Sequence, residues 1–365
     1  MIEPIKNFPR AKTRIDMEAI RDETGAEEIY RMGYNESPLG PSPKVVAAIR
    51  MAAAGVGFYP PMGDERLREV LAQTEGQGLT PDHFFTSCSG YEAIELVARA
   101  YLQPGSEMII CHPTFGVYSK IAALELATTV DVPLKAPEFT PDVDGILAAI
   151  NDKTRAILLC NPNNPTGTIM PSADFERLMA NLPDDILLIA DDVYCHFVTD
   201  PDYPNVIKHI MAGKNVVRIQ TFSKAYGLAG LRMGYGIAPP EIANVVAGIQ
   251  RGFHQNRINM SAGVAALMDQ DHLKANVKAA LDGKDYIYGE LDRLDVDYIR
   301  SQTNFFIVKL NRPADSLVEL LRSKGVLIKS ESLPGIPHGL RVSTTVQPGN
   351  EAFVAGLEEW LQKDG

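Results

Sequence analysis

Residues 216–238 read VVRIQTFSKAYGLAGLRMGYGIA, and this segment gives the clearest indication of the fold of the chain. Its two apolar ends, Val216–Ile219 and Met233–Ala238, are short and partly β-branched, which predicts buried strands. The segment between them is rich in glycine and contains Lys224. An arbitrary lysine is usually solvated surface. A lysine just past a buried strand, in an apolar and glycine-rich context, is instead a candidate for chemistry.

Similar apolar runs recur upstream, and Gly, Pro or Asn punctuates most of their ends. Helix-like stretches lie between several of them, the clearest being Tyr91–Leu102, whose apolar residues share one face. This alternation predicts an α/β domain with a mostly parallel sheet flanked by helices. The upstream runs are Met108–Cys111, Thr128–Val132, Ala156–Cys160 and Ile186–Ala190.

The pattern changes after about residue 255. A long helical region, Ala262–Leu294, leads into strand-like runs at Asn304–Leu310 and Leu340–Ser343, and a helix near Ala352–Leu361 follows. A chain of 365 residues is long enough for about two domains. We predict a large domain over 33–258 and a smaller α+β domain made of 1–32 with 259–365.

Composition narrows the possible partners. Lys and Arg number 35 against 46 Asp and Glu, a net charge of −11, so neither nucleic acid nor a membrane surface is an expected partner. The four cysteines are scattered without C-x-x-C spacing, which predicts neither disulfides nor a metal site. The start of the sequence has no apolar run long enough for a signal peptide, so a cytoplasmic location is expected.

Polar residues follow three of the predicted strands. One strand runs into NPNNPTG (161–167), the next into Asp191-Asp192-Val193-Tyr194, and the third into the segment 220–232. Ligands in α/β sheets bind at the carboxyl ends of strands, where loops turn into helices. These three strand exits therefore predict one composite site.

Eight segments in order resemble the fold-type I pyridoxal 5′-phosphate (PLP) enzymes. Within them the sequence is similar to the class I/II aminotransferases, most closely the histidinol-phosphate aminotransferase group. The resemblance covers about residues 33 to 345, and it implies the PLP-dependent transferase fold type I with PLP as the cofactor. The segments are NESPLGPSP (35–43), YPPMGDERLRE (59–69), SGYEAIEL (89–96), PTFGVYS (113–119), NPNNPTG (161–167), ADDVY (190–194), SKAYGLAGLRMGY (223–235) and GLRVS (339–343).

The resemblance implies catalytic roles for residues at the strand exits. Lys224 forms an imine with the cofactor aldehyde and later acts as a base on the substrate. Asp191 pairs with the pyridine nitrogen, while Asp192 is the better candidate for a helix cap. Tyr194 and Asn164 hydrogen-bond the phenolic oxygen of PLP. The alternatives are a core aromatic for Tyr194 and an ordinary turn residue for Asn164.

Further residues are implied to hold the phosphate and the ring of PLP. Gly90 and Tyr91 open a helix whose N-terminus attracts anions, although Ser89 or Ser87 there also suits a simple N-cap. The hydroxyls of Thr221 and Ser223 and the guanidinium of Arg232 complete the implied phosphate site. Phe115 is implied to stack on the pyridine face, and a core aromatic is the competing interpretation.

The resemblance also implies which residues contact the substrate and the partner subunit. Arg341 matches an arginine that grips a substrate carboxylate, with a surface salt bridge as its alternative, and Asn35 is implied to lie near the substrate. Tyr59 is of the type that reaches the PLP phosphate from the neighbouring subunit, which implies a homodimer.

The favoured function is transfer of an amino group between a small-molecule amino donor and a 2-oxoacid, as in the histidinol-phosphate aminotransferase group. An aromatic or other amino-acid aminotransferase, or a PLP-dependent decarboxylase or other lyase on the same fold, remains open. A PLP-binding regulator is disfavoured because Lys224 is present and the chain has no room for an added basic domain.

Overall fold

The computed structural model describes residues 17–329 and 333–363. The N-terminal residues 1–16, which we assigned to the small domain, lie outside the described residues, as do 330–332 and 364–365.

The strands group into sheets of seven, three and two strands. The seven-stranded sheet has the order β2-β8-β7-β6-β5-β3-β4, and all of its strands run parallel except β8, which is antiparallel to both neighbours. The predicted α/β fold with a mostly parallel sheet is confirmed. The strands are β1 Tyr30–Arg31, β2 Phe84–Ser87, β3 Glu107–His112, β4 Thr128–Pro133, β5 Thr154–Cys160, β6 Leu187–Asp191, β7 Val216–Thr221, β8 Gly234–Ile237, β9 Tyr298–Ile299, β10 Phe305–Lys309, β11 Val326–Leu327 and β12 Gly339–Ser343.

Helices cover both faces of the large sheet, because alternate residues of its strands point to opposite sides. Ile157 and Leu188 belong to an apolar cluster on one face, and Leu158 and Ile189 belong to a second cluster on the other. The helices are α1 Met17–Thr24, α2 Pro43–Ala53, α3 Glu65–Glu75, α4 Gly90–Tyr101, α5 Val117–Leu124, α6 Val143–Ala149, α7 Ser172–Asn181, α8 Val206–Met211, α9 Pro240–Gly248, α10 Arg257–Met268, α11 Gln270–Arg293, α12 Asp315–Ser323 and α13 Gln347–Gln362. None of these described helices combines the length and the apolarity needed to cross a bilayer.

A third apolar cluster lies under the three-stranded antiparallel sheet β12-β10-β9 and includes Met32, Phe306 and Trp360. The predicted helical region 262–294 is two helices rather than one, because the chain breaks at Asp269. The Asp269 carboxylate accepts hydrogen bonds from Ser42 Oγ and Lys44 Nζ, both at 2.7 Å, which ties the break to the start of α2. The division of the chain into a large domain over 33–258 and a small domain made of 1–32 with 259–365 stays a prediction.

The reversed strand β8 packs unusually close to the start of α4. A Cβ on Gly234 would lie 2.4 Å from the backbone nitrogen of Gly90 and from the carbonyl carbon of Ser89. Glycine at 234 is therefore a steric requirement. The close contact fixes the N-terminus of α4 against the sheet.

We expect Gly234→Ala to lower the free energy of unfolding by about 1–3 kcal/mol, the usual cost of forcing extra atoms into a packed interior. Gly289→Ala is the matched control, because no atom lies within 4 Å of its added Cβ and alanine favours a helix interior by up to ~1 kcal/mol. Urea unfolding followed by circular dichroism measures both. Equal stabilities for the two variants would contradict the steric argument.

Candidate active site

The carboxyl ends of β5, β6 and β7 open into one cavity of about 590 Å³, a size typical of small-molecule sites. Every predicted site residue except Tyr59 lines it. These residues are Asn35, Gly90, Tyr91, Phe115, Asn164, Asp191, Tyr194, Thr221, Ser223, Lys224, Arg232 and Arg341.

Lys224 lies just beyond β7, with its ammonium group inside the cavity. Its Nζ donates a hydrogen bond to the carbonyl oxygen of Tyr34 at 3.2 Å and lies 5.5 Å from the centre of the Tyr194 ring. Burial lowers the pKa of Lys224 to about 8, and the positive charge of Arg341 acts in the same direction. A substantial fraction of the amine is therefore neutral near physiological pH, as a nucleophile or a base requires.

Asp191 is the last residue of β6 and is almost fully buried. Its Oδ2 accepts a hydrogen bond of 2.6 Å from the hydroxyl of Tyr118. Its Oδ1 is buried and has no hydrogen-bond partner among residues 17–329 and 333–363. Burial raises the pKa of Asp191 to about 6, and the hydrogen bond from Tyr118 opposes that rise. A buried acceptor that lines a cavity is suited to a donor on a bound molecule.

The neighbouring Asp192 points to the opposite face of the sheet. Its carboxylate accepts hydrogen bonds from Arg218 Nε and from the hydroxyl of Tyr203. Arg218 also forms an ion pair with Glu75 at 3.1 Å. Asp192 therefore neutralises a half-buried arginine instead of capping a helix, so that expectation is wrong. The alternation of side chains along the strand separates the two aspartates.

Asn35 connects the small sheet to the site. Its side-chain Nδ2 donates to the hydroxyl of Tyr194 at 3.0 Å. Its backbone N–H donates to Ser343 Oγ at 2.9 Å, and that hydroxyl donates to Asn35 Oδ1 at 2.8 Å. Asn35 has a φ of 55°, in the left-handed region where asparagine is one of the better-tolerated residues. Tyr194 is thus anchored by a hydrogen bond at its polar end.

Arg341 lies on β12 and lines the cavity, as the substrate-binding role requires. Its Nη1 donates to Asn164 Oδ1, and its Cζ lies 5.5 Å from the centre of the Phe305 ring. This contact also gives Asn164 a defined orientation. A guanidinium at this place can hold an anionic group of a ligand.

The start of α4 forms one end of the cavity. Ser89 is its N-cap and accepts from the N–H of Glu92 at 3.0 Å, which leaves the adjacent Gly90 at the first turn. Thr221 Oγ1 donates to the carbonyl of Met233 at 3.1 Å and accepts from the N–H of Ser223. These groups and Arg232 line the same cavity. A helix N-terminus beside hydroxyls and an arginine is suited to a phosphate.

An aromatic pair covers another wall. The ring of Phe115 is 40% exposed and meets the ring of Tyr118 edge to face, with 5.8 Å between ring centres. Phe115 can therefore present a face to a ligand ring.

Sequence reasoning missed several cavity residues. Tyr118 lies three positions after Phe115, and only its place in the segment PTFGVYS could have drawn attention to it. Arg31 and Glu36 form an ion pair at 2.8 Å, and Lys329 Nζ lies 3.9 Å from the centre of the Tyr34 ring. These residues come from segments far apart in the sequence, so no local pattern indicates that they share a cavity.

Tyr59 does not line this cavity. Its side chain is 80% exposed and lies beside Phe253, with 4.8 Å between ring centres. Its carbonyl oxygen accepts a hydrogen bond from Arg257 Nη2 at 3.2 Å. The role predicted for Tyr59 requires a second copy of the chain.

A buried amine and a buried carboxylate share one cavity at the carboxyl edge of an α/β sheet. This arrangement defines an enzyme site suited to amine and carbonyl chemistry with an aromatic, anionic cofactor. Within the described parts of the chain, no group of three or more His, Cys, Asp or Glu side chains is arranged to hold a metal ion.

Comparison with known proteins identifies the family. The family model for aminotransferase class I and II matches residues 27–355. A histidinol-phosphate aminotransferase from Moorella thermoacetica is 33% identical over 370 residues, covering 98% of this chain and 95% of the relative. One from Akkermansia muciniphila is 36% identical over 334 residues, covering 92% and 90%. The structure of histidinol-phosphate aminotransferase from Sinorhizobium meliloti, in complex with pyridoxal-5'-phosphate, has a TM-score of 0.89 at 27% identity and covers 100% of this chain and 98% of that one.

The chain belongs to the aminotransferase class I and II family. The predicted class of enzyme is confirmed, and the resemblance noted from the eight sequence segments is confirmed with it. The roles assigned to individual site residues stay predictions, for which the geometry above supplies the physical basis.

The pKa of Lys224 gives a test that needs no cofactor. Below its pKa the amine is protonated and unreactive, so competitive acylation of Lys224 should rise with pH around a midpoint of about 8. Because the charge of Arg341 lowers this pKa, Arg341→Met should move the midpoint to higher pH. Peptide mass spectrometry after labelling at a series of pH values measures both midpoints. An unchanged midpoint in Arg341→Met would refute the electrostatic coupling.

Proposed function

We propose that this chain is a PLP-dependent aminotransferase of the histidinol-phosphate aminotransferase type, which moves an amino group from a phosphate-bearing amino donor to a 2-oxoacid. The observation that carries the proposal is the presence, in one cavity, of the Lys224 amine and of an Asp191 Oδ1 that has no hydrogen-bond partner in the described parts of the chain.

The residues present fit PLP. Asp191 Oδ1 is an acceptor that suits the N–H of a protonated pyridine ring, and Phe115 offers a flat apolar face to that ring. Gly90 at the start of α4, with Thr221, Ser223 and Arg232, suits the cofactor phosphate. When bound, PLP supplies an aldehyde for the lysine amine and a ring that accepts electrons from the substrate.

Lys224 supplies the amine and the base. Its lowered pKa of about 8 keeps part of the amine neutral. The neutral Nζ can take a proton from the α-carbon of a substrate held in the cavity and return one during amino transfer. Asp191 supports this step by remaining ionised at neutral pH, since its pKa of about 6 lies below the working range.

Tyr194, Asn164 and Arg341 orient the reacting groups. Because the Tyr194 hydroxyl accepts a hydrogen bond from Asn35, its own proton is directed towards another acceptor, for which the phenolic oxygen of PLP is suited. Arg341 is positioned by its hydrogen bond to Asn164, and its planar guanidinium is of the kind that holds a substrate anion.

The charge of the cavity supports an anionic substrate. The whole chain carries a net charge of −11, yet among the described residues of the cavity wall the basic side chains outnumber the carboxylates of Glu36 and Asp191. The local field therefore attracts anions that the rest of the surface repels. The wall contains Arg31, Lys224, Arg232, Lys329 and Arg341. This excess suits a cofactor phosphate together with a substrate that carries a phosphate or carboxylate, and the named relatives point to histidinol phosphate.

We expect Lys224→Ala to abolish the visible absorbance band of the purified protein and to reduce kcat by several orders of magnitude, because both the covalent anchor and the base are lost. The assay is amino transfer from histidinol phosphate to 2-oxoglutarate. Lys278→Ala is the control, since Lys278 is a solvent-exposed residue of α11 paired with Asp282. Release of CO₂ or ammonia without amino transfer would favour a lyase and overturn the proposal.

We also propose a homodimer in which Tyr59 serves the neighbouring site. Met51, Phe58, Tyr59 and Met62 are each more than 70% exposed and lie in one short segment of the chain. A cluster of large exposed apolar side chains is unusual on a monomer and is typical of an interface. A second copy that covered this segment would bring the Tyr59 hydroxyl to a site it does not reach within its own chain.

Mixing two impaired variants tests whether Tyr59 serves the site of the neighbouring subunit. Neither Lys224→Ala nor Tyr59→Ala alone should have full activity, but subunit exchange between them forms mixed dimers with one intact site. Activity should therefore rise on mixing if Tyr59 acts across the interface. Lys224→Ala mixed with the unaltered enzyme controls for dilution. If the mixture shows no gain although native mass spectrometry detects mixed dimers, Tyr59 does not act in the partner's site.

A further inference from the structure

Tyr118 lines the cavity, and the proposed mechanism assigns it no role. Its side chain is fully buried, and it is the second residue of α5. Its hydroxyl makes a 2.6 Å hydrogen bond to Asp191 Oδ2. Its ring packs edge to face against Phe115. One side chain thus contacts both the carboxylate and the aromatic face proposed for the cofactor ring.

We infer that Tyr118 is a positioning residue, which holds Asp191 by Oδ2, leaves Oδ1 for the ring nitrogen and keeps this carboxylate ionised. The inference rests on the proposed function, because it concerns the group that Asp191 receives. Tyr118 does not itself contact the reacting atoms, and it acts through Asp191.

The geometry supports a role for Tyr118 in orienting the Asp191 carboxylate. A carboxylate in a cavity can rotate and present either oxygen, but a short bond to a buried hydroxyl fixes Oδ2. The remaining oxygen, Oδ1, is the one without a partner in the described chain. Phe115 restricts the Tyr118 ring from the cavity side, so the hydroxyl has little freedom to turn away.

The charges around Asp191 explain why a donor is needed. Burial and the neighbouring charge of Asp192 both raise the pKa of Asp191, whereas the Tyr118 hydroxyl, the backbone N–H of Val193 and the ammonium of Lys224 lower it. The Cys160 thiol and the Tyr194 hydroxyl also face this carboxylate. The charge of Lys224 depends on its own protonation, because its pKa is about 8. The hydroxyl of Tyr118 and the backbone N–H of Val193 are neutral donors, so their contributions do not depend on the state of Lys224.

The effect of Tyr118 can be measured through the proton that Asp191 would share with a pyridine nitrogen. A proton between Asp191 and a pyridine nitrogen lies on the nitrogen only while the carboxylate is the weaker base. Tyr118 weakens that base by donating to it. Without this donor the proton shifts towards Asp191, and the ring becomes a poorer acceptor of electrons.

Tyr118→Phe tests the inference, with Tyr101→Phe as the matched control. Tyr101 ends α4, and its hydroxyl lies 3.4 Å from Asn215 Oδ1, outside the cavity. In the protein freed of PLP, ¹³C NMR of labelled aspartate should give Asp191 a pKa of about 6. In Tyr118→Phe this pKa should be higher, and in Tyr101→Phe it should be unchanged.

The loaded enzyme provides two further measurements. With ¹⁵N-labelled PLP, the ring nitrogen of Tyr118→Phe should resonate nearer to neutral pyridine than that of the unaltered enzyme. kcat should fall about tenfold or more, the value of one hydrogen bond to a charged group, while KM stays within about twofold. In an Asp191→Asn background, Tyr118→Phe should change kcat less than twofold, because the group through which it acts is absent.

The inference is overturned if the pKa of Asp191 is the same with and without the Tyr118 hydroxyl. It is also overturned if Tyr118→Phe lowers kcat equally in the Asp191→Asn background, which would indicate general damage to packing. If the unaltered protein binds no PLP, the proposed function fails, whereas the measurement on the cofactor-free protein still tests the contact between Tyr118 and Asp191.

Discussion

Desolvation of two opposite charges in one cavity is the constraint on which the site depends. An isolated ion is costly to bury, so a buried group either shifts its pKa or acquires partners. Lys224 and Asp191 do the first, with pKa values near 8 and 6, which brackets neutral pH. At that pH the amine is partly neutral and the carboxylate is largely ionised. Burial of these two groups lowers the stability of the fold. It also shifts their pKa values into the range that acid–base chemistry near neutral pH requires.

The sheet keeps the carboxylate that stabilises the fold apart from the carboxylate that is available to a ligand. Asp191 and Asp192 are adjacent in sequence but face opposite sides of β6. Asp192 is fully engaged with Arg218 and Tyr203, and Arg218 is shared with Glu75. Asp191 keeps one oxygen without a partner among the described residues. A single-residue step along a strand therefore separates an anchoring carboxylate from one that is available to a ligand.

Much of the fold and site could be predicted because the relevant signals are local. Apolar runs indicated β3 to β8, and polar residues after three of them indicated the cavity edge. The direction of β8 could not be predicted, since an apolar run reads the same for either orientation. Tyr118 was missed because its partner Asp191 is 73 residues away. Arg31, Glu36 and Lys329 were missed because they are far in sequence from the three strand exits, and Tyr59 does not line the cavity of its own chain.

The sequence by itself indicated one composite site, because the lysine, carboxylate, amide and phenol at neighbouring strand exits can be identified from residue order. Its resemblance to the class I/II aminotransferases over eight segments implied the kind of enzyme. Only the tertiary structure decided which oxygen of Asp191 is available, which aspartate faces the cavity and which cations surround it. The physical reason is that pKa values and partners depend on distance and burial. Those quantities arise when segments far apart in the chain pack against one another, and no local pattern encodes them.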